Sequence, residues 1–310
     1  MTTPAPTTAN RTLRIGHSPD PDDAFMWWPL ANFVAPDGTQ LKPQIDTRGY
    51  DFVHVLEDIQ SLNERSEQGE LEITAFSIHQ YPHVAEHYAL TSCGSSMGDG
   101  YGPMIVSRPG HITQPGDLKG KKLAMPGPRT TAWLSTQLWL HEHGLSKDDF
   151  DWEHVMFDQI LDEVESERFD AGLIIHEGQI TFQDQGLELV VDLGSWWTHS
   201  RGLPLPLGGN AIRRDLVESG EAPVICRVLL DSIEHALGHR DDAVAFALNY
   251  ARNMGTELAD RFVGMYVNRW TMDYGERGRA AVSQLMKEGV AAGLIPALPG
   301  GGEVDFVEPA

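Results

Sequence analysis

The chain predicts an α/β fold of two lobes, on three grounds. From Thr12 onward short apolar runs alternate with amphipathic stretches, the pattern of strands and helices layered about a largely parallel sheet. After about residue 215 that pattern gives way to apolar residues at helical spacing, as at Cys226, Leu229, Leu230, Ile233 and Leu237. Two glycine-rich stretches, 94–103 and 201–209, read as crossovers between lobes.

Strands are expected near 12–17, 42–47, 71–76, 103–108, 121–126, 152–157, 170–176, 187–192 and 205–213. The first ends on His17-Ser18, ahead of an acidic run that most simply caps the following helix, with Asp22 or Asp23 near its positive end, the alternative being a catalytic carboxylate. The third ends on Ser77. Residues 121–134 read as strand, tight loop and then a helix opening near Thr130. The stretch 169–177 is an apolar run that stops on His176, as a buried parallel strand would. Later helices are expected around 240–252, 256–270 and 276–292. The segment between the crossovers forms its own unit, so lobe 1 comprises 12–105 and 210–310, lobe 2 comprises 106–209, and 1–11 is a disordered tail. A cleft lies between the lobes, hinged at the glycine-rich crossovers.

At 310 residues with 41% apolar content the chain can bury two cores without metal or disulfide staples. The two cysteines, Cys93 and Cys226, have no CxxC or metal-ligand spacing and point to a reducing compartment. The first ten residues lack the basic and apolar segments of a secretory signal, and no run approaches about 18 apolar residues. A soluble, cytoplasmic protein is the expectation. With 23 basic against 45 acidic side chains the net charge is −22, which repels phosphate backbones and anionic membranes. Neither nucleic acid nor membrane is an expected partner, and oligomeric state is not legible.

Gly98-x-Gly100-x-Gly102 lacks the spacing of a dinucleotide fingerprint and precedes a strand rather than a helix, so it reads as hinge. His79, His83 and His87 fall four residues apart, a zinc-like spacing on a helix, but Pro82 interrupts the stretch and no further ligand is obvious. No metal is expected, and a solvent-facing stripe is the plainer reading. At the helix opening near Thr130, unpaired N–H groups could hold a carboxylate, with the Thr130 and Thr131 hydroxyls helping; the plainer alternative is that one threonine only caps the helix.

Ligands in open α/β sheets bind beyond the carboxyl ends of strands. Ser18, Ser77, Thr130, Thr131 and His176 all fall at such positions and would face one another across the cleft. An imidazole there is a neutral base at physiological pH, so His176 is the candidate proton acceptor, the alternative being a mere strand cap.

The segments 16–25, 126–132, 172–177 and 202–208 resemble the 1,4-dihydroxy-6-naphthoate synthases of the futalosine route to menaquinone, over roughly residues 12 to 295. The resemblance implies a type II periplasmic-binding-protein fold that acts as a lyase. It converts cyclic dehypoxanthinylfutalosine to the naphthoate plus dihydroxyacetone, without metal or organic cofactor. It implies His176 as the base and Ala75, Phe76, Ser77, Thr130 and Thr131 as contacts to a small carboxylate substrate. The chain carries Asp20 and Asp22 where relatives can have Cys and Asn. Two rivals share the fold class. One is a solute-binding protein without turnover; the other is a chorismate dehydratase, whose opening motif differs from His17-Ser18-Pro19-Asp20.

Overall fold

A computed structural model describes residues 10–30, 40–251 and 255–310. Its strands are β1 (Arg11–His17), β2 (Tyr50–Leu56), β3 (Ile73–Ser77), β4 (Tyr88–Thr91), β5 (Ser96–Gly98), β6 (Met104–Ser107), β7 (Lys122–Met125), β8 (Asp151–His154), β9 (Ala171–Ile174), β10 (Glu188–Asp192), β11 (Leu205–Arg213) and β12 (Phe306–Val307). They form two sheets. The larger runs β12-β4-β11-β3-β1-β2 with β5 also on β11, and the smaller runs β10-β6-β9-β7-β8.

Both sheets are covered on two faces, which is why every residue of β3, β4 and β9 is buried. On one face of the large sheet Leu13, Ile15, Phe52 and Ile73 pack against Ile225, Leu229 and Ile233 of helix Ala222–Gly238. On the other, Phe76, Leu90 and Leu205 meet Val282 and Leu285 of helix Gly275–Ala291. The small sheet has its own two cores, around Leu123 and Leu173 and around Val106 and Ile174. Gly172 belongs to the second: a Cβ there would lie 2.6 Å from Ile160 Cγ2, so only glycine lets helix Ile160–Glu165 close on β9.

Several expectations need correction. The strand placed near 42–47 is absent, and its role falls to β2, whose Tyr50, Phe52 and paired register with β1 satisfy the sheet edge. Pro43 has no N–H to give a ladder. The short β4, β5 and β12 lie outside the expected set. The sheets are mixed rather than largely parallel: β11 runs antiparallel to β3, β4 and β5, and β6 antiparallel to β9 and β10. The expected tail falls on residues 1–9, which lie outside the described residues, but Arg11 already pairs with Tyr50. The strand β11 lies wholly in the large sheet, so a lobe boundary at residue 209 would cut it.

The glycine-rich crossover 94–103 is a site of close backbone approach. A Cβ on Gly102 would sit 2.8 Å from Gly194 Cα, and one on Gly194 or Gly98 would collide with the Tyr101 carbonyl. These glycines let two chain segments touch, which binds the crossover instead of loosening it.

Candidate functional site

A cleft open to solvent, with about 110 Å³ of enclosed space, lies where strand ends of the two sheets face each other. Ser18, Ala75, Phe76, Ser77, Thr130, Thr131 and His176 all line it.

At the end of β1 the Ser18 N–H and O–H both donate to Asp23 Oδ2, at 2.8 and 2.7 Å. His17 Nδ1 lies 2.9 Å from the Ser18 carbonyl, which can only accept, so the proton sits on Nδ1. His17 Nε2 then accepts from His54 Nδ1 at 2.9 Å. Burial pushes the His17 pKa down, with the charge of Asp23 opposing it. Asp20 stands at the N-cap position of helix Pro21–Trp27 yet makes no capping bond. Asp22 and Asp23 lie in the first turn of that helix, at its positive end as expected, and both also line the cleft.

At the end of β3 the Ser77 N–H donates to Asn63 Oδ1 at 2.8 Å, and Ser77 Oγ accepts from Asn63 Nδ2 at 3.1 Å. The Ser77 hydroxyl proton is given to no described residue and is available to a ligand.

Beyond β7 the helix Thr131–Glu142 opens on the cleft. The Thr130 hydroxyl donates to Gly127 O at 2.8 Å and accepts from Trp133 N at 3.2 Å, a helix cap. The Thr131 hydroxyl donates to Leu207 O at 2.6 Å and accepts from His79 N at 3.1 Å. Each has one proton and has spent it, so the expectation that these hydroxyls grip a carboxylate is corrected. The donors left for an anion are the first-turn backbone N–H groups of Thr131 and Ala132, backed by the helix dipole.

His176 follows β9 in a left-handed backbone conformation, φ 54°. That is uncommon for a residue with a side chain and is characteristic of functional positions. Its ring lies 4.6 Å from Phe157 and 6.3 Å from Phe262, and its Nε2 is 3.6 Å from Asp20 Oδ2. Also lining the cleft are Gln179, Asn210 and Tyr266, which sequence reasoning did not single out. Tyr266 donates to Gln179 Oε1 at 2.7 Å, and burial raises its pKa. No periodicity could place Tyr266 here: it arrives from the helical third of the chain.

The three histidines do not share one face: His79 is buried, His83 half-buried and His87 exposed. His79 lies in a 3-10 turn and His83 in the short helix Tyr81–Val84. His79 is buried and donates from Nδ1 to Thr130 O at 2.9 Å, while Arg129 donates to His83 Nε2 at 2.8 Å. No group of three or more potential ligands is placed to hold a metal among the described residues. Burial, which outweighs the Thr130 bond, pushes the His79 pKa down from 6.5 to about 4. The folded value is below the unfolded one, so its contribution is present above about 6.5 and lost as pH falls through about 4. Thermal unfolding should therefore show Tm falling between those limits, and His79→Asn, which keeps a donor for Thr130 O, should flatten part of that slope. An unchanged slope would sink this role.

The sequence profile of the menaquinone biosynthesis family matches residues 13–291. A 1,4-dihydroxy-6-naphthoate synthase of Thermus thermophilus is 35% identical over 287 residues, covering 93% of this chain and 97% of that one. One of Streptomyces coelicolor is 34% identical, covering 93% and 96%. A crystal structure of an Archaeoglobus fulgidus protein superposes with a TM-score of 0.79 at 41% identity, covering 92% of this chain and 98% of that one. The alkanesulfonate-binding protein of Xanthomonas axonopodis, at 13% identity and TM-score 0.68 over 94% and 96%, shares the fold alone, that of a bilobed periplasmic-binding protein. With a family match spanning most of its length and relatives above 30% identity, the chain belongs to the menaquinone-biosynthesis family that contains the 1,4-dihydroxy-6-naphthoate synthases.

Proposed function

We propose that this chain is a carbon–carbon lyase that converts cyclic dehypoxanthinylfutalosine to 1,4-dihydroxy-6-naphthoate and dihydroxyacetone, with His176 as general base and no metal or organic cofactor. The observation that carries the reading is the strained His176 backbone, which holds an imidazole in a cleft between two sheets, beside the Asp20 carboxylate. A neutral His176 takes a proton from the substrate, and Asp20 stabilises the imidazolium that results. The substrate carboxylate is held at the start of helix Thr131–Glu142 by the Thr131 and Ala132 N–H groups, and the Ser77 hydroxyl donates a further bond. Ala75 and Phe76 form the apolar floor on which a planar ring system packs, and Ser18 keeps Asp23 in place. In this reading the lobe of the large sheet and the lobe of the small sheet enclose the substrate between them, and the enzyme works in the cytoplasm. No described helix is long and apolar enough to cross a membrane.

Purified protein, given cyclic dehypoxanthinylfutalosine without added cofactor, should form 1,4-dihydroxy-6-naphthoate catalytically, followed by chromatography and absorbance. Tight binding without product would replace this reading with that of a solute-binding protein. Dependence on an added metal would remove its cofactor-free form.

A further inference from the structure

Three carboxyl groups crowd one turn beside the cleft, and each is at least nine-tenths buried: Asp20, Asp22 and Asp23, the last two lining it. Like charges so close cannot all persist away from water, and at least one must take up a proton. The bonding pattern says which. Asp23 accepts two hydrogen bonds from Ser18 on one oxygen, so its charge has polar partners. Asp20 faces the His176 imidazole, the partner that gains positive charge. Asp22 has neither advantage: its Oδ1 is buried and bonds to no described residue, while its side chain lines the cleft.

We propose that Asp22 is held as a neutral carboxylic acid and donates its proton in a hydrogen bond to the substrate oxygen on which negative charge collects as the carbon–carbon bond breaks. No proton is transferred: the bond strengthens as the oxygen gains charge, which is the condition for accelerating a reaction. The role rests on the reading of His176 as base, because the two groups act on opposite ends of the same electron flow.

The surroundings of Asp22 agree. Burial is the largest cause raising its pKa from 3.8 to about 8, followed by the charges of Asp23 and Asp20, with His176 opposing. Other elements packed against helix Pro21–Trp27 bring four titratable or charged groups. His17 lies beside Asp20 and Asp23 and is itself kept neutral by burial. Tyr266 stays neutral for the same reason. Arg240 sits over the Phe25 ring and is paired with Asp260, and His235 lies against Trp28 at the far end of the helix. None supplies Asp22 with a counter-charge.

The test is kcat/KM against pH for the wild type, Asp22→Asn and Asp22→Ala, with infrared difference spectra of the wild type and Asp22→Asn at pH 7. The wild type should lose rate as pH rises through about 8. Asp22→Ala should fall about tenfold to a thousandfold at neutral pH. Asp22→Asn keeps a donor of the same shape, so it should recover most of that loss and no longer show the alkaline limb. The carbonyl band of a protonated carboxyl should be present in the wild type and absent from Asp22→Asn.

The proposal is overturned by an alkaline limb unchanged in Asp22→Asn, by Asp22→Asn being as impaired as Asp22→Ala, or by a wild type without the band. Should Asp22→Ala not fold, the asparagine variant and the spectra still decide. Failure of the His176 reading shows separately, as turnover surviving in His176→Ala, and leaves the infrared result standing.

Discussion

His176→Ala is expected to lose about a hundredfold or more in kcat while the protein still folds, since general-base action of this kind contributes about 10²–10⁴-fold. The two halves of that expectation have separate causes. The turnover loss follows from removing the one imidazole that both lines the cleft and has a carboxylate 3.6 Å from its ring nitrogen. The tolerance of the fold follows from the position: the side chain stands past the end of β9, against Phe157, and belongs to none of the hydrophobic cores described. Alanine still inherits the left-handed backbone, φ 54°, which costs a Cβ-bearing residue about 1–2 kcal/mol. His176→Asn is therefore the better probe, because asparagine enters that region more readily. It should match the alanine variant in lost kcat and exceed it in Tm. A kcat near that of the wild type in either variant, by continuous product assay, would remove His176 from the chemistry.

How much of this was legible beforehand depended on whether one local signal decided the outcome. The stretch ending in His176 was readable because a strand buried on both faces is an apolar run, and an interruption by a histidine marks its end. All seven candidate residues line the cleft: Ser18, Ser77, Thr130, Thr131 and His176 because strand ends and helix starts can be found from the sequence and sheet topology brings them together, and Ala75 and Phe76, which the family resemblance alone implied, because they precede Ser77 on the same strand. The acidic run was only half legible: Asp22 and Asp23 do stand in the first turn of the helix, as the sequence led one to expect. Only the three-dimensional neighbours show that the same two residues also line the cleft. The threonine hydroxyls illustrate the opposite limit. Their position was correct and their availability was not, because Leu207 and His79, which claim the Thr131 hydroxyl, lie 76 and 52 residues away. Gln179, Asn210 and Tyr266 carried no local signal, since each is an ordinary polar residue in an ordinary element. The antiparallel course of β11 was equally hidden, for an apolar run has no direction until its partners are known.

The second large effect is expected at Thr131, where Thr131→Val should cost about 2 kcal/mol or more of stability and raise KM as well. Valine has nearly the shape of threonine, so packing is preserved and the change isolates two hydrogen bonds. The His79 N–H is left buried without a partner, a loss of about 1–3 kcal/mol, and the half-buried Leu207 carbonyl adds less because water can reach it. These bonds join different sheets: Leu207 lies in β11 of the large sheet, whereas Thr131 opens the helix that follows β7 of the small one. Around them His79 Nδ1 holds Thr130 O, Asn63 Nδ2 reaches Arg129 O at 3.3 Å, and Gln60 Oε1 takes Arg129 N at 3.1 Å. Gly127, at φ 149°, admits Gln60 where a Cβ would meet its side chain at 2.8 Å or less. The N–H groups that would hold the substrate carboxylate are thus aimed by a clamp spanning the cleft, and the same bonds that stabilise the fold set the geometry of binding. Thr131→Ser, which keeps the hydroxyl, should restore both properties. Urea titration beside steady-state kinetics separates the outcomes: lower stability with wild-type KM would make the clamp purely structural, and unchanged stability would show that the cleft does not depend on it.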